Sequence, residues 1–332
     1  MKRSEQRGTN ASQAWQSDGR AAECIRLQQH GASCLGWLAE NLVRFSPWRD
    51  GRLAHGGVKA FAELAILYGY LEQWKDHPLA KKFALRENLV PLRAFILEHS
   101  EHPAYGEMTR KRPPQAFYLL LPYLILRATG YRASYHEDTL KRLRRCGYPR
   151  AMEMEMVPYR LLDQQYFLWK SGYSTREPNW YRLYRDTILG RRCSAVYIDH
   201  GAAYSITHTL FYLTDFGNHP LPLTVTDIEH ATNVVECLLV HYWRLAHWDL
   251  VGELLSNLHC LGKRNSPFYS GAAMAFQRAR RSDGAIPADQ ACEKELLSAQ
   301  SPERGDLMFR ACYHTTLVGV IYCFTGVKAF WQ

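Results

Sequence analysis

Apolar residues recur at three- and four-residue spacing along most of this chain. No run shows convincing alternation with the period of two that a half-buried strand needs. Val58, Phe61, Leu64, Ala65 and Tyr68 show the pattern and predict a helix over Gly57–Trp74. The same reading predicts helices over Arg20–Phe45, Pro78–His99 (with a kink at Pro91), Pro113–Gly130, Ser134–Cys146, Glu153–Gly172 and Pro178–Gly190. It continues through Ala202–Gly217, Thr226–Ala246, Asp249–Gly262, Pro267–Arg281 and a last apolar helix from about Asp306 to Gly326. Met108–Pro114 reads as a connection and Ser194–Ile198 as a short extended piece. Residues 1–18 read as a disordered tail, and 19–332 as a single helical domain with an inserted polar loop or lid near 282–305.

Three of the helices repeat. Tyr159–Gly172, Tyr204–Gly217 and Asp249–Gly262 end in glycines spaced 45 and 45 residues apart. Phe117–Gly130 ends 42 residues before the first, and Tyr313–Gly326 ends 64 after the third. A period near 45 residues is one helical hairpin, the unit of solenoids and closed toroids. From residue 113 onward strongly apolar helices alternate with polar ones. Apolar inner helices that carry a polar stripe favour an all-α closed α/α toroid of about twelve helices over an irregular helical bundle or an open solenoid, whose concave face would leave them exposed.

The register puts polar residues in columns. Nine positions before the glycine stand Asp163, His208 and Glu253; thirteen before it stand Tyr159, Tyr204 and Asp249, with Tyr313 in the late segment. Positions four apart share a helix face, so each segment presents two polar groups in one direction. Such an alignment can also arise from glycine as a routine helix terminator, with the polar groups satisfying one another inside a core.

Composition narrows the setting. Hydrophobic residues make up 47% and charged residues 22%, the profile of a globular protein. The net charge of +9 would steer towards an acidic peptide, a phosphorylated substrate, nucleic acid or an anionic surface, or it mainly keeps the protein in solution. Nine cysteines without a C-x-x-C pair give neither a zinc knuckle nor a disulfide framework. The N-terminus has no apolar signal region and the apolar stretches fall short of a confident membrane span, so a cytoplasmic protein with no membrane partner is expected. Nucleotide folds find no support, because no G-x-G-x-x-G or P-loop is present, and no DNA partner is expected.

His208 is the best general acid or base, its ordinary pKa being nearest neutrality. Asp163 and Glu253 would orient it or act themselves, and Tyr204 and His314 complete the candidate catalytic set. Tyr159, Arg160, Tyr212, Asp215 and Tyr313 are candidates for substrate binding. Asp249, at the start of its helix, reads as a capping residue. No H-x-x-x-H or H-E-x-x-H pair occurs, and neither a metal nor another cofactor is expected.

The segments VPYRLLDQQYFLWKSG, YSITHTLFYLTDFG, WDLVGELLSNL and YHTTLVG resemble those of an uncharacterised bacterial all-helical family, often found in natural-product gene neighbourhoods, over much of residues 20–326. More loosely, the expected ring is similar to the metal-free cyclases of class V lanthipeptides. That resemblance implies a tailoring enzyme of ribosomal peptide biosynthesis. Such an enzyme would close thioethers by metal-independent acid–base chemistry on a peptide or small-molecule substrate. The Cys-Cys-His zinc set of ordinary lanthipeptide cyclases has no counterpart here. A non-catalytic peptide-binding scaffold and a terpenoid cyclase-like enzyme remain the alternatives, although the aspartate-rich runs of terpene cyclases are missing.

Overall fold

The computed structural model describes residues 5–111, 116–148, 155–298 and 304–328. Among them, fourteen α-helices and one two-stranded hairpin are found, so the chain is all-α. The helices are α1 (Glu5–Glu40), α2 (His55–Glu72), α3 (Leu85–Glu101), α4 (Pro103–Lys111), α5 (Ala116–Ala128), α6 (Ser134–Arg145) and α7 (Pro158–Lys170). They continue as α8 (Trp180–Asp186), α9 (His200–Leu213), α10 (Val225–Arg244), α11 (Trp248–Cys260), α12 (Tyr269–Ala279), α13 (Gln290–Ser298) and α14 (Arg304–Lys328). The hairpin pairs Trp48–Arg49 with Arg52–Leu53 around Asp50 and Gly51, both at positive φ as a two-residue turn requires.

Several expectations change in detail. Of the tail expected over 1–18, residues 5–18 continue α1, a helix propagated outward from a half that is anchored by Leu27, Cys34, Leu35 and Leu38; residues 1–4 lie outside the described residues. The expected connection Met108–Pro114 is helical as far as Lys111, and residues 112–115 are not described. Ser194–Ile198 is not extended but holds a 3-10 turn over Ala195–Tyr197. The expected insertion contains α13, and the loop before it is no exposed lid. Ala285 and Ile286 are fully buried, with Ile286 N–H donating to Thr316 Oγ1. Ala288 N–H bonds Ala311 O and Ala288 O accepts from Asp249 N–H, which stitches the loop to α14 and to the start of α11. Residues 299–303 lie outside the described residues.

Six helices follow one another in space. α2 packs on α5, α5 on α7, α7 on α9, α9 on α11, α11 on α14, and α14 on α2. They run in the same direction, because starts meet starts and ends meet ends. Tyr204 near the start of α9 bonds Asp249 at the start of α11, while Lys170 at the end of α7 pairs with Asp215 just past α9. Both bonds join residues 45 apart, so the sequence period is visible as side-chain contacts. The remaining helices cover these six, α1 along α14, α3 along α2, α8 beside α7, and α10 and α12 against α11.

Local chemistry fixes the helix ends. Asp199 caps α9 by accepting from Ala202 N–H at 2.7 Å, and Thr224 caps α10 by accepting from Asp227 N–H. His247, not Asp249, caps α11, its Nδ1 accepting from Leu250 N–H. That leaves the Asp249 carboxylate for tertiary contacts. Gly262 sits at φ +68 past the end of α11, with Lys263 N–H reaching back to Leu258 O, a left-handed stop that favours glycine. Gly326 is a different case. It lies inside α14, where an added Cβ would stand 2.9 Å from His259 Cε1 and from Leu27 Cδ1. By length and composition α14 could cross a membrane, which goes beyond the sequence reading; 72% of its most apolar window is buried inside the protein, against α1, α2 and α11.

Candidate functional site

The first halves of the parallel helices converge on one polar centre. α7 brings Tyr159, Arg160 and Asp163; α9 brings Tyr204, Thr207, His208 and Tyr212; α11 brings Asp249 and Glu253; α14 brings Tyr313 and His314; α2 brings Glu63. Asp163, Asp249 and Glu253 are only 6%, 5% and 2% exposed. The two imidazoles are each about a quarter exposed, and Glu63 and Arg160 also reach the surface.

The contacts radiate from Glu253. Its Oε1 lies 3.7 Å from His208 Nε2 and 3.6 Å from His314 Nε2, while Oε2 accepts from Thr207 Oγ1 at 2.5 Å. Asn257, one turn on, holds Thr207's carbonyl at 3.2 Å. His314 Nε2 is also 3.5 Å from Asp249 Oδ1, and its Nδ1 is 3.1 Å from Glu63 Oε2. Asp249 Oδ2 accepts from Tyr204 OH at 2.6 Å. On the α7 side, Arg160 reaches Asp163 Oδ2 at 3.3 Å and lies over the Tyr159 ring, which is 6.4 Å from the His208 ring.

Burial and charge pull these groups apart. Burial pushes the Glu253 carboxyl up, but the His208 and His314 imidazoles outweigh it and hold it well below the usual carboxylate range. Burial also works against a charged His314, yet the nearby Asp249 and Glu63 carboxylates raise it well above 6.5. Asp249 moves up, from burial and from the like charge of Glu253, although His314 opposes the shift. Asp163 moves up as well through burial, against the pull of Arg160 and His208. Carboxyl groups shifted in opposite directions within one cluster are the raw material of acid and base roles.

Nine of the ten candidate residues therefore meet here. His208, Asp163, Glu253, Tyr204 and His314 form the centre, with Tyr159, Arg160, Tyr212 and Tyr313 around it. Tyr212 lies beside Asp163, its ring centroid 6.1 Å from that of His208, and Tyr313 lies beside Glu63. Asp215 does not join them. Helix α9 ends at Leu213, and Asp215 adopts φ +48, so the seven-residue spacing from His208 no longer measures a helix face. Its carboxylate serves Tyr166 OH and Lys170 Nζ, each at 2.5 Å, at the far ends of the helices. A cleft of about 310 Å³ opens at those ends between Tyr70, Gln73, Ile125, Tyr166, Lys170 and Phe216. Tyr166, which lines this cleft, has its ring 5.1 Å from that of Tyr212, tilted by 37°.

One member, Glu63, escapes the sequence reading; it is a lone carboxylate in the apolar run of α2, and that isolation is its signal. Asp249 stands in the polar columns of the sequence but reads there as a cap, whereas the structure gives its carboxylate to Tyr204 and His314. Asp249, Glu253 and His314 each offer a donor atom, all within 4.8 Å of one another, so these three are the residues able to hold a metal ion. Comparison with curated proteins and with solved structures returned no match. The match that stands is to a family model described as a domain of unknown function (DUF6895), over residues 31–324, and the chain belongs to that family.

Proposed function

We propose that the protein is an enzyme working by general acid–base catalysis at this centre, in the manner of a peptide-tailoring cyclase. The observation that carries the reading is the convergence of two imidazoles, four carboxyl groups and several phenols from five helices, with the Asp163, Asp249 and Glu253 carboxyl groups buried and the histidines about a quarter exposed. Isolated buried charges are costly, and a core gains nothing from assembling so many unless the set is used together. The framework is read as a closed α/α toroid. What supports this is the order of packing, in which the sixth parallel helix, α14, returns to the first, α2. Such a ring encloses the centre and leaves the ends of the helices as its entrances.

The reaction suggested by the lanthipeptide resemblance is thiol addition. A base takes the proton of a peptide cysteine, sulfur bonds to the β-carbon of a dehydroalanine, and the resulting enolate takes a proton at its α-carbon. His208 suits the first transfer and the Tyr159, Tyr204 or Tyr212 phenols the second, since burial raises the Tyr204 and Tyr212 phenols and keeps them protonated. No redox partner is needed and the product has the mass of the substrate. The basic surface suits an acidic peptide.

The test uses dehydroalanine-containing peptides with a free cysteine, incubated with the enzyme in D2O. Loss of one alkylatable thiol with one deuterium gained at the α-carbon is the expected result. His208→Ala should lower the rate about 10²- to 10⁴-fold, the usual contribution of a positioned acid or base. Peptides that bind but keep their thiols would identify a binding scaffold instead. Turnover at the wild-type rate in a folded His208→Ala protein would remove the histidine from the chemistry.

A further inference from the structure

Asp249 and Glu253 each have one oxygen held and one oxygen offered. Tyr204 holds Asp249 Oδ2 and Thr207 holds Glu253 Oε2. The free oxygens, Oδ1 and Oε1, both face His314 Nε2, at 3.5 and 3.6 Å. Thr315 Oγ1 touches Oδ1 only weakly, at 3.4 Å. A charge-assisted hydrogen bond closes to about 2.7–2.9 Å, so these separations are too long for an imidazolium that has satisfied two buried carboxylates. They fit another arrangement. Oxygen and nitrogen ligands about 2.0–2.2 Å from one ion stand roughly 3.0–3.5 Å from their neighbours in octahedral or tetrahedral geometry.

The supporting shell has the matching form. Both offered oxygens are backed by a hydrogen bond to the far oxygen of the same carboxylate, from a phenol for Asp249 and from a hydroxyl for Glu253, and the Glu63 carboxylate lies 3.1 Å from His314 Nδ1. A carboxylate behind a histidine fixes the tautomer that leaves Nε2 free to ligate. A second, separate observation comes from the same polar centre. Asp163, 6% exposed, keeps its Oδ1 without a hydrogen-bond partner among the described residues, and so does the buried Nδ1 of the neighbouring His208. Buried polar atoms left in this state are filled in working sites by a ligand or by water.

We propose that Asp249 Oδ1, Glu253 Oε1 and His314 Nε2 bind one divalent first-row transition-metal ion, with its open side towards His208, whose Nε2 lies 3.7 Å from Glu253 Oε1. Imidazole with two carboxylates selects zinc, iron(II), manganese(II) or cobalt(II) over calcium and magnesium, which prefer oxygen alone. This departs from the sequence expectation of no metal, because the third ligand comes from a helix 61 residues further on, outside any short motif. The inference rests on the reading of this centre as the working site only for where it places the ion. Binding is measured without turnover, so either reading can fail alone.

The experiment strips the protein with a chelator and titrates it with cobalt(II), followed by visible absorption, and with zinc(II) by calorimetry. One equivalent of saturable binding is expected. Asp249→Asn, Glu253→Gln and His314→Gln should each weaken it at least a hundredfold, and Glu63→Gln about tenfold, as for an outer-shell partner. His219→Gln, at the opposite ends of the helices, should leave it unchanged. Circular dichroism checks each variant, and where one fails to fold, anomalous diffraction from a zinc-soaked wild-type crystal decides by the position of the peak. Absence of binding in the wild type, a zinc peak away from His314 Nε2, or undiminished affinity in the folded ligand variants overturns the proposal.

Discussion

At the residue scale the protein buries histidines in opposite electrostatic settings. His314 lies among carboxylates, which raise its pKa, whereas His30 and His259 lie away from them and are held neutral. Burial, assisted by Arg280, brings His30 down to about 3, and burial with Arg264 does the same for His259. His259 is fully engaged as a neutral ring between Thr325 Oγ1 at 2.9 Å and Tyr269 OH at 2.8 Å, and His30 accepts from Arg280 Nε at 3.0 Å. A folded-state pKa below the unfolded value of 6.5 means that the unfolded chain binds more protons between about 3 and 6.5. The stability from keeping these rings neutral is therefore complete above pH 6.5 and is lost as pH falls towards 3. At pH 5 each ring costs about 2 kcal/mol. Urea unfolding at pH 7 and pH 5 should show His259→Gln losing less stability on acidification than the wild type, by about that amount. Other groups titrate in the same window, so the difference between the two proteins is what is read. Equal losses would show that His259 is not held neutral.

At the element scale, glycines that share a register in sequence do different physical work. Gly262 ends α11 in a left-handed conformation with nothing near its missing side chain, whereas Gly326 allows α14 to lie against His259 and Leu27. Gly262→Ala should cost about 1–2 kcal/mol from backbone strain, and Gly262→Asn distinctly less, since asparagine tolerates that conformation. Gly326→Ala should cost about 1–3 kcal/mol by overpacking, and Gly326→Asn more still. Thermal melts of the four variants separate the two roles; an asparagine that rescues position 326 but not 262 would reverse the assignment. Twelve of the helices were legible from apolar spacing, most with boundaries shifted by a few residues, whereas α4, α13 and the outward extension of α1 were not. The spacing also missed the end of α9, where Asp215 and Phe216 both turn left-handed to deliver a carboxylate to Tyr166 and Lys170. A tertiary bond overrode the local pattern there.

At the scale of the molecule, α14 is the member on which the others depend. From Cys312 to Val327 it is buried almost throughout, and it packs on α1, α2 and α11 together. The last helix of the chain thus joins the first two to the repeats and carries His314 into the centre. A chain stopped at residue 303 should lose its cooperative thermal transition and expose apolar surface to a hydrophobic dye, beyond the loss of helical signal from the missing residues alone. A sharp transition in the truncated protein would show that the preceding helices form a stable unit without it, and would count against the closed ring.

The sequence by itself determined the helical class, the 45-residue period and the two polar columns, because all three depend on local spacing and helical geometry repeats reliably over a few turns. Asp163, His208 and Glu253 could be named for that reason. Only the tertiary structure decided that Glu63 and Asp249 belong with them, that Asp215 does not, and that 282–305 contains a helix and a buried plug. Each of those outcomes turns on a partner far away in the chain: His314 lies 251 residues from Glu63, and Tyr204 lies 45 from Asp249. Helical periodicity says which way a side chain faces on its own element, and only packing says what waits there to meet it.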